Sequence, residues 1–301
     1  MRVFIATGYA MLLSTIGMVI FYAFEEKAFG TQKPLVSDGK PLGLEACKPL
    51  TRTFVNDGVN KAVPILTYHH VIKEEDLTKV HYESMGHLYQ TIITAELFEE
   101  HLKFLKDNGY TSLSLEEFRR FMAGESDVPK KSVFLTIDDG FRNNYVEAYP
   151  LLKKYGFQAT NFLITAKVLK QDVKYDASAS QYLTFKEAKK ACDVFEYQSH
   201  TFDYHKIGKK RSYLVEKPKG KIEKDIAKSI VQLDGEKGGF SYPYGQYDEE
   251  TIQAVKDLGF EMAFTTEERP ANRKDSMYEI PRYQIVPTMG VEDLRAIVEI
   301  H

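Results

Sequence analysis

The chain of 301 residues contains no tryptophan, only two cysteines and no excess of basic side chains. Each shortage narrows the reading. With 40 Lys and Arg against 43 Asp and Glu, the formal net charge is −3, and nothing in that balance points to nucleic acid. Cys47 and Cys192 match no zinc motif by their spacing, and whether they pair is open at the level of sequence. Without tryptophan, the 19 Tyr and 19 Phe are the rings available to floor a sugar or peptide groove, although most such rings belong in a core. No internal repeat is evident.

What is present begins with a membrane signal. From Val3 to Phe24 there is no charged residue, about 22 positions, enough at 1.5 Å per residue to cross a hydrocarbon core. Arg2 precedes the run, and Glu25, Glu26 and Lys27 follow it. Ala23-Phe24-Glu25 is a poor cleavage site, so residues 1–24 read as a signal anchor or uncleaved signal segment, an N-terminal transmembrane helix with the rest of the chain outside. Residues 25–60 carry Gly, Pro, Lys and Asp without periodicity and read as a tether. The body is then 61–301, placed at the extracellular face of the cell membrane, or secreted and wall-associated if the leader is removed.

Within the body, strand and helix signals alternate. Val63 to Tyr68 predicts a strand that runs into His69-His70, and a long polar and aromatic loop, 73–93, follows. Thr94 opens an amphipathic helix stopped at Gly109, and Ser114 with Glu117 forms a capping box for the next. Val133 to Ile137 is an unbroken apolar strand ending in Asp138-Asp139-Gly140. Such a strand needs both faces covered, as in a parallel sheet flanked by helices. Further strands are expected at 159–164, 194–197, before Tyr242, at 261–265 and at 280–285. Helices capped or stopped by Thr184, Gly259 and similar signals fall between them. The alternation predicts an α/β fold, a parallel sheet or barrel with its site at the C-terminal strand ends.

Four polar clusters fall at those ends: His69-His70, Asp138-Asp139, His200 to His205, and Tyr242 to Gly245. Alternation along a strand aims Asp138 and Asp139 in different directions, which suits one for a metal and one for a proton. The plain alternative is a polar turn closed by Gly140. A loop can bring His200 and His205 to one ion, with Asp139 completing a His₂Asp set that leaves coordination positions open for water and substrate. The plain alternative there is two solvent-facing histidines, and Asp203 between them is a candidate only for supporting them.

Thr136-Ile-Asp138-Asp139-Gly140 resembles the Thr-Phe-Asp-Asp-Gly motif of the NodB-type polysaccharide deacetylases, carbohydrate esterase family 4. Ser199-His200 to His205 is similar to that family's metal-binding histidine motif in its longer-spaced form. Leu66-Thr-Tyr68-His69-His70-Val71 and Tyr242-Pro-Tyr-Gly245 extend the resemblance, which runs from about residue 62 to the C-terminus and is to the intercellular-adhesin, poly-β-1,6-N-acetyl-D-glucosamine N-deacetylase subgroup. It implies a distorted (β/α)7-type barrel. It implies Asp139, His200 and His205 as ligands of a divalent metal, zinc with cobalt or nickel as alternatives. By the same carry-over, Asp138 is the general base and His69 the general acid for the leaving amine, with His70 as competitor. The backbone around Pro243 and Tyr244 faces the oxyanion and substrate. In many members an arginine two positions before the Pro-Tyr pair orients the base; here Ser241 stands there, leaving Arg282 or Arg142 as candidates for that contact.

The expected activity is metal-dependent hydrolysis of N-acetyl groups on an exported N-acetylglucosamine polysaccharide, with partial deacetylation of the β-1,6 polymer in biofilm formation as the favoured case. The alternatives are a peptidoglycan or chitin-oligosaccharide deacetylase and, in a different class, an inactive glycan-binding protein of the same fold. A glycosidase fits worse, because its two acids must flank the scissile bond several ångströms apart.

Overall fold

The strand that ends in the paired aspartates is buried along its whole length, and the other elements assemble on both of its edges and both of its faces. In this computed structural model the described residues are 40–44, 47, 51–54, 60–171 and 173–299. The expected transmembrane helix, residues 1–24, lies outside them; among the described residues no helix is long and apolar enough to cross a membrane.

The main sheet contains β1 (Ile65–Tyr68), β2 (Thr111–Ser112), β3 (Ser132–Asp139), β4 (Ala159–Leu163), β5 (Phe195–Ser199), β6 (Phe240–Ser241), β7 (Ala263–Phe264) and β8 (Tyr283–Gln284). Their order is β7-β6-β5-β4-β3-β1-β8, with β2 on the start of β3, and every pairing is parallel. The result is a half-barrel of parallel strands. A single parallel bridge from Phe264 to Ile280, just before β8, links the two ends of the row.

Helices α1 (Ala95–Asp107), α2 (Leu115–Met122), α3 (Tyr149–Tyr155), α4 (Phe185–Lys190), α5 (Tyr213–Glu216), α6 (Lys219–Gln232), α7 (Glu249–Asp257) and α8 (Val291–Val298) connect the strands. Their starts follow local chemistry. Thr94 accepts from the N–H of Leu97, and the Ser114/Glu117 and Thr184/Glu187 pairs form full capping boxes. Pro150 sits in the first turn of α3, where its missing N–H costs nothing.

The strand alternation sorts side chains into two cores. Val133, Leu135 and Ile137 face outward into the layer shared with α1, α3 and α8, together with Leu66, Tyr68, Tyr283 and Ile285. Ile65, Phe134, Phe162 and Phe264 face inward, where Phe118 and Phe121 of α2 join them. Phe118 stacks on Phe134 at 4.8 Å between ring centroids, so α2 plugs the N-terminal end of the half-barrel. At the opposite end the inward positions become polar: Thr67, His69, Thr136, Asp138, Arg282 and Gln284. The same two-residue period that builds the floor of the barrel therefore lines its mouth.

The stretch expected as a tether is, where described, docked on the body. Leu42 and Leu44 are buried, and their N–H groups donate to the Gln232 carbonyl and the Asp234 carboxylate. Cys47 is bonded to Cys192, and Arg52 forks onto Glu117. Isolated leucines in a polar stretch show no period, which is why composition alone suggested a free linker.

Candidate active site

β3 brings Asp138 inward to the mouth, and the backbone then turns sharply. Asp139 and Gly140 both have left-handed φ, 75° and 76°. At Gly140 a Cβ would lie 2.6 Å from Leu163 Cδ2, so the turn needs glycine. Strict alternation would send Asp139 to the outer face, as the sequence suggested. The left-handed turn instead swings its carboxylate back to the mouth beside Asp138. Of the non-glycine residues with positive φ among those described, Asp139, Thr201 and Tyr244 border this one site. Such conformations cost about 1–3 kcal/mol each and persist only where the surroundings enforce them.

Asp139 Oδ1 lies 3.2 Å from His205 Nε2 and 3.4 Å from His200 Nε2. All three residues are buried, and Oδ1 has no hydrogen-bond donor of good geometry. A tetrahedral ion with ligand bonds of about 2.0–2.1 Å holds its donors roughly 3.3 Å apart along each edge. The spacing therefore suits a divalent metal such as zinc. The Ser241 carbonyl can only accept, so His200 Nδ1 carries the proton in their 2.8 Å bond, and Nε2 is left to face the ion. The His205 ring packs on Tyr244 at 4.4 Å and on His200 at 4.7 Å.

Asp138 is held by a residue beside β8, two strands along the row. Arg282 donates to both of its oxygens, Nη1 to Oδ1 at 2.9 Å and Nη2 to Oδ2 at 2.8 Å. Ser241 Oγ donates to Oδ2 at 3.0 Å and accepts from Arg282 Nη2 at 2.8 Å. The Arg282 Nε donates to the Thr265 carbonyl, and its guanidinium lies over Phe162 and Phe264 at 5.5 and 5.9 Å. Of the two candidate arginines, Arg282 is the one that contacts Asp138. Arg142 instead pairs with Glu187 at 2.8 Å and donates to the Val173 carbonyl, anchoring the loop before α4.

Electrostatics follow from this packing. Burial alone would raise the Asp138 carboxyl, but Arg282 and then His200 more than offset it and hold the group below its usual range. For Asp139 burial is likewise outweighed, by His205, His200 and His69, and the carboxyl is strongly depressed. Burial pulls His205 down to about 4 and also lowers His69, with Asp139 opposing in both cases. For His200 the close contact with Asp139 and the charges of both carboxylates outweigh burial and raise it. A neutral His205 and an ionised Asp139 are the forms that bind metal.

His69 lines the same cavity as Asp138, His200, His205, Tyr244 and Gly245. His70 points the other way, stacked on Phe141 at 3.6 Å with Nδ1 on the Asn143 amide. Pro243 is buried behind Tyr242 and Tyr244, which line the cavity themselves. Thr67, Thr266 and Gln284 also line it and were not singled out by sequence. Gln284 has a buried carboxamide with no hydrogen-bond partner. Its position two residues after Arg282 on an alternating strand was the available signal.

A buried, clamped carboxylate beside three donors that could hold a metal ion, at the mouth of a parallel half-barrel, is an arrangement suited to hydrolysis. The polysaccharide deacetylase family profile matches residues 125–263. The poly-beta-1,6-N-acetyl-D-glucosamine N-deacetylase of Staphylococcus aureus is 30% identical over 227 residues, covering 73% of this chain and 77% of that protein. YxkH of Bacillus subtilis, named for the polysaccharide deacetylases, is 30% identical over 239 residues, 79% of this chain and 76% of its own. Among solved structures, the Streptococcus pyogenes deacetylase PplD in complex with acetate has a TM-score of 0.65 at 29% identity, covering 80% of this chain and 100% of that one. IcaB from Ammonifex degensii shares the fold, with a TM-score of 0.66 at 21% identity over 80% of this chain and 98% of that one. The chain belongs to the polysaccharide deacetylase family, the NodB-type hydrolases of N-acetyl amides.

Proposed function

We propose that this protein removes acetyl groups from poly-β-1,6-N-acetyl-D-glucosamine outside the cell, exposing free amines that help the polymer hold a biofilm together. The observation that carries the chemistry is Asp138, buried and clamped by Arg282, next to the Asp139, His200 and His205 set. Asp139, His200 and His205 would hold a divalent ion, zinc by the fit of the set. Bound there, such an ion acts as a Lewis acid that lowers the pKa of water and polarises the acetyl carbonyl.

The chain's own groups do the rest. Oδ2 of Asp138 accepts two hydrogen bonds and Oδ1 only one, so Oδ1 keeps a lone pair and takes the proton of the attacking water. His69 hands a proton to the leaving amine, whose departure as an anion would be prohibitive near neutral pH. The backbone at Tyr244 supports the carbonyl oxygen as charge builds on it. The products balance as acetate and a free amine. The uncharged stretch from Val3 to Phe24 supports anchoring at the extracellular face, and the Staphylococcus aureus relative supports the β-1,6 polymer as substrate.

The test is acetate release from defined β-1,6 and β-1,4 N-acetylglucosamine oligomers, before and after chelation. Activity should vanish on chelation and return with Zn²⁺, Co²⁺ or Ni²⁺; full activity in a metal-stripped sample would sink the mechanism. A preference for β-1,4 oligomers would instead assign the protein to chitin or peptidoglycan. Asp138→Asn should abolish turnover with metal still bound, while His200→Ala should lose both.

A further inference from the structure

The two histidines of the proposed metal set are separated by four residues, Thr201 to Tyr204, in a loop with no helical or strand ladder of its own. Its backbone groups are nonetheless accounted for. The carbonyls of Thr201 and Phe202 accept from the N–H groups of Thr165 and Ala166 on one side. The Thr201 N–H donates to Ser199 Oγ, and the next three N–H groups turn the other way, onto a single carboxylate. Phe202 N donates to Asp225 Oδ1 at 3.0 Å, and Asp203 N reaches Oδ2 at 3.0 Å and Oδ1 at 3.3 Å. The N–H of Tyr204 points to the same group. The left-handed φ of 74° at Thr201 is what turns these successive N–H groups inward.

Asp225 lies in the middle of α6 on its buried face, between Ile222 and Ser229, and is only 6% exposed. Among the described residues no cation pairs with it. A carboxylate buried without a counter-charge is a costly way to fill space, since an aliphatic side chain would pack without the desolvation penalty. The cost is offset only by the N–H groups of the loop, so the carboxylate and the loop shape require each other. The rest of α6 reinforces the contact: Ser229 Oγ bonds Ser199 Oγ at 2.5 Å, and Lys228 lies over the Phe202 ring at 5.2 Å.

We propose that Asp225 is a positioning residue for the metal site: it folds the 201–204 loop so that His200 and His205 present their Nε2 atoms to one ion. This rests on the reading of Asp139, His200 and His205 as the metal ligands. The side chain touches neither substrate nor ion, and it acts through the backbone that joins the two imidazoles.

The test uses the full chain with Co²⁺ and Zn²⁺ as probes, reading dissociation constants by competition titration and the visible absorption of the Co²⁺ form. Asp225→Asn keeps the shape but places an amide donor against the N–H of Asp203; Asp225→Ala removes the acceptor altogether. Metal affinity should fall by about 10- to 100-fold in the alanine variant and by about 10-fold in the asparagine variant, as for other groups that orient ligands. The Co²⁺ spectrum should change shape in both. Thermal unfolding in chelator separates this from simple destabilisation. A variant that melts earlier yet binds Co²⁺ with the wild-type affinity and spectrum while folded overturns the proposal. If Asp225→Ala does not fold, Asp225→Asn alone decides, and wild-type binding by it is equally fatal. Failure of the wild-type chain to bind Co²⁺ or Zn²⁺ would overturn the ligand set itself.

Discussion

At Asp138 the chain solves a local problem from an unexpected direction. The family motif that Tyr242-Pro243-Tyr244 resembles carries an arginine where this chain has Ser241, and the guanidinium arrives instead at the end of the sheet row, on Arg282. Ser241 then has a different task, relaying between the two charged groups through its hydroxyl. Arg282 and Arg142 could not be separated from sequence, because each lies beside or within an expected strand and within a few residues of an acid. What distinguishes them is the bridge from Phe264 to Ile280, a long-range contact with no local signature. Replacing Arg282 with Met should leave Asp138 buried and uncompensated, a loss of about 3–5 kcal/mol in urea unfolding together with a large drop in kcat. Ser241→Ala should cost about 1 kcal/mol and leave the ion pair standing. Comparable stability losses in the two variants would mean that the ion pair does not hold the site.

Among the elements, those with their own capping and periodicity were legible: α1, α2, α4 and α7 begin or stop within a few residues of the Thr, Ser and Gly signals that predict them. The strand at Ile92–Thr94 and the short α5 were not, since each is held by its partners rather than by local preference. The four polar clusters were readable because strand ends announce themselves by abrupt changes in composition; the left-handed turn at Asp139 did not. Glu196 on β5 shows how an element junction stores a pH dependence. Its carboxylate accepts from the first N–H of α2 and from Thr160, yet burial outweighs both and pushes it up to about 7. The unfolded group titrates near 4.3, roughly the free value. Because the folded pKa is the higher one, its stabilising contribution is complete at low pH and is lost as the pH rises through 7. Glu196→Gln should therefore gain on the wild type by about 2 kcal/mol between pH 5 and pH 8, measured by chemical unfolding at each. A gap that does not change with pH would show that Glu196 is already ionised in the folded protein at pH 5.

For the whole molecule, the Cys47–Cys192 bond closes a span of 145 residues and pins the segment before the body to the outer core. Constraining so long a loop in the unfolded chain is worth about 2–4 kcal/mol. Reduction, or Cys47→Ser with Cys192→Ser, should lower the unfolding midpoint by that amount while metal binding at the mouth persists; an unchanged midpoint would mean that the bond contributes nothing. The half-barrel has a second span of similar length. Asp138 and the guanidinium that neutralises it are 144 positions apart. At roughly 5–20 residues per second of synthesis, Asp138 waits on the order of ten seconds for its cationic partner to exist. A chain cut short before residue 282 would carry Asp139, His200 and His205 and still lack the charge that holds Asp138 below its usual range. Synthesis thus orders the site: Asp138 is made well before the cation that neutralises it, and a chain that stops before Arg282 is expected to lack activity.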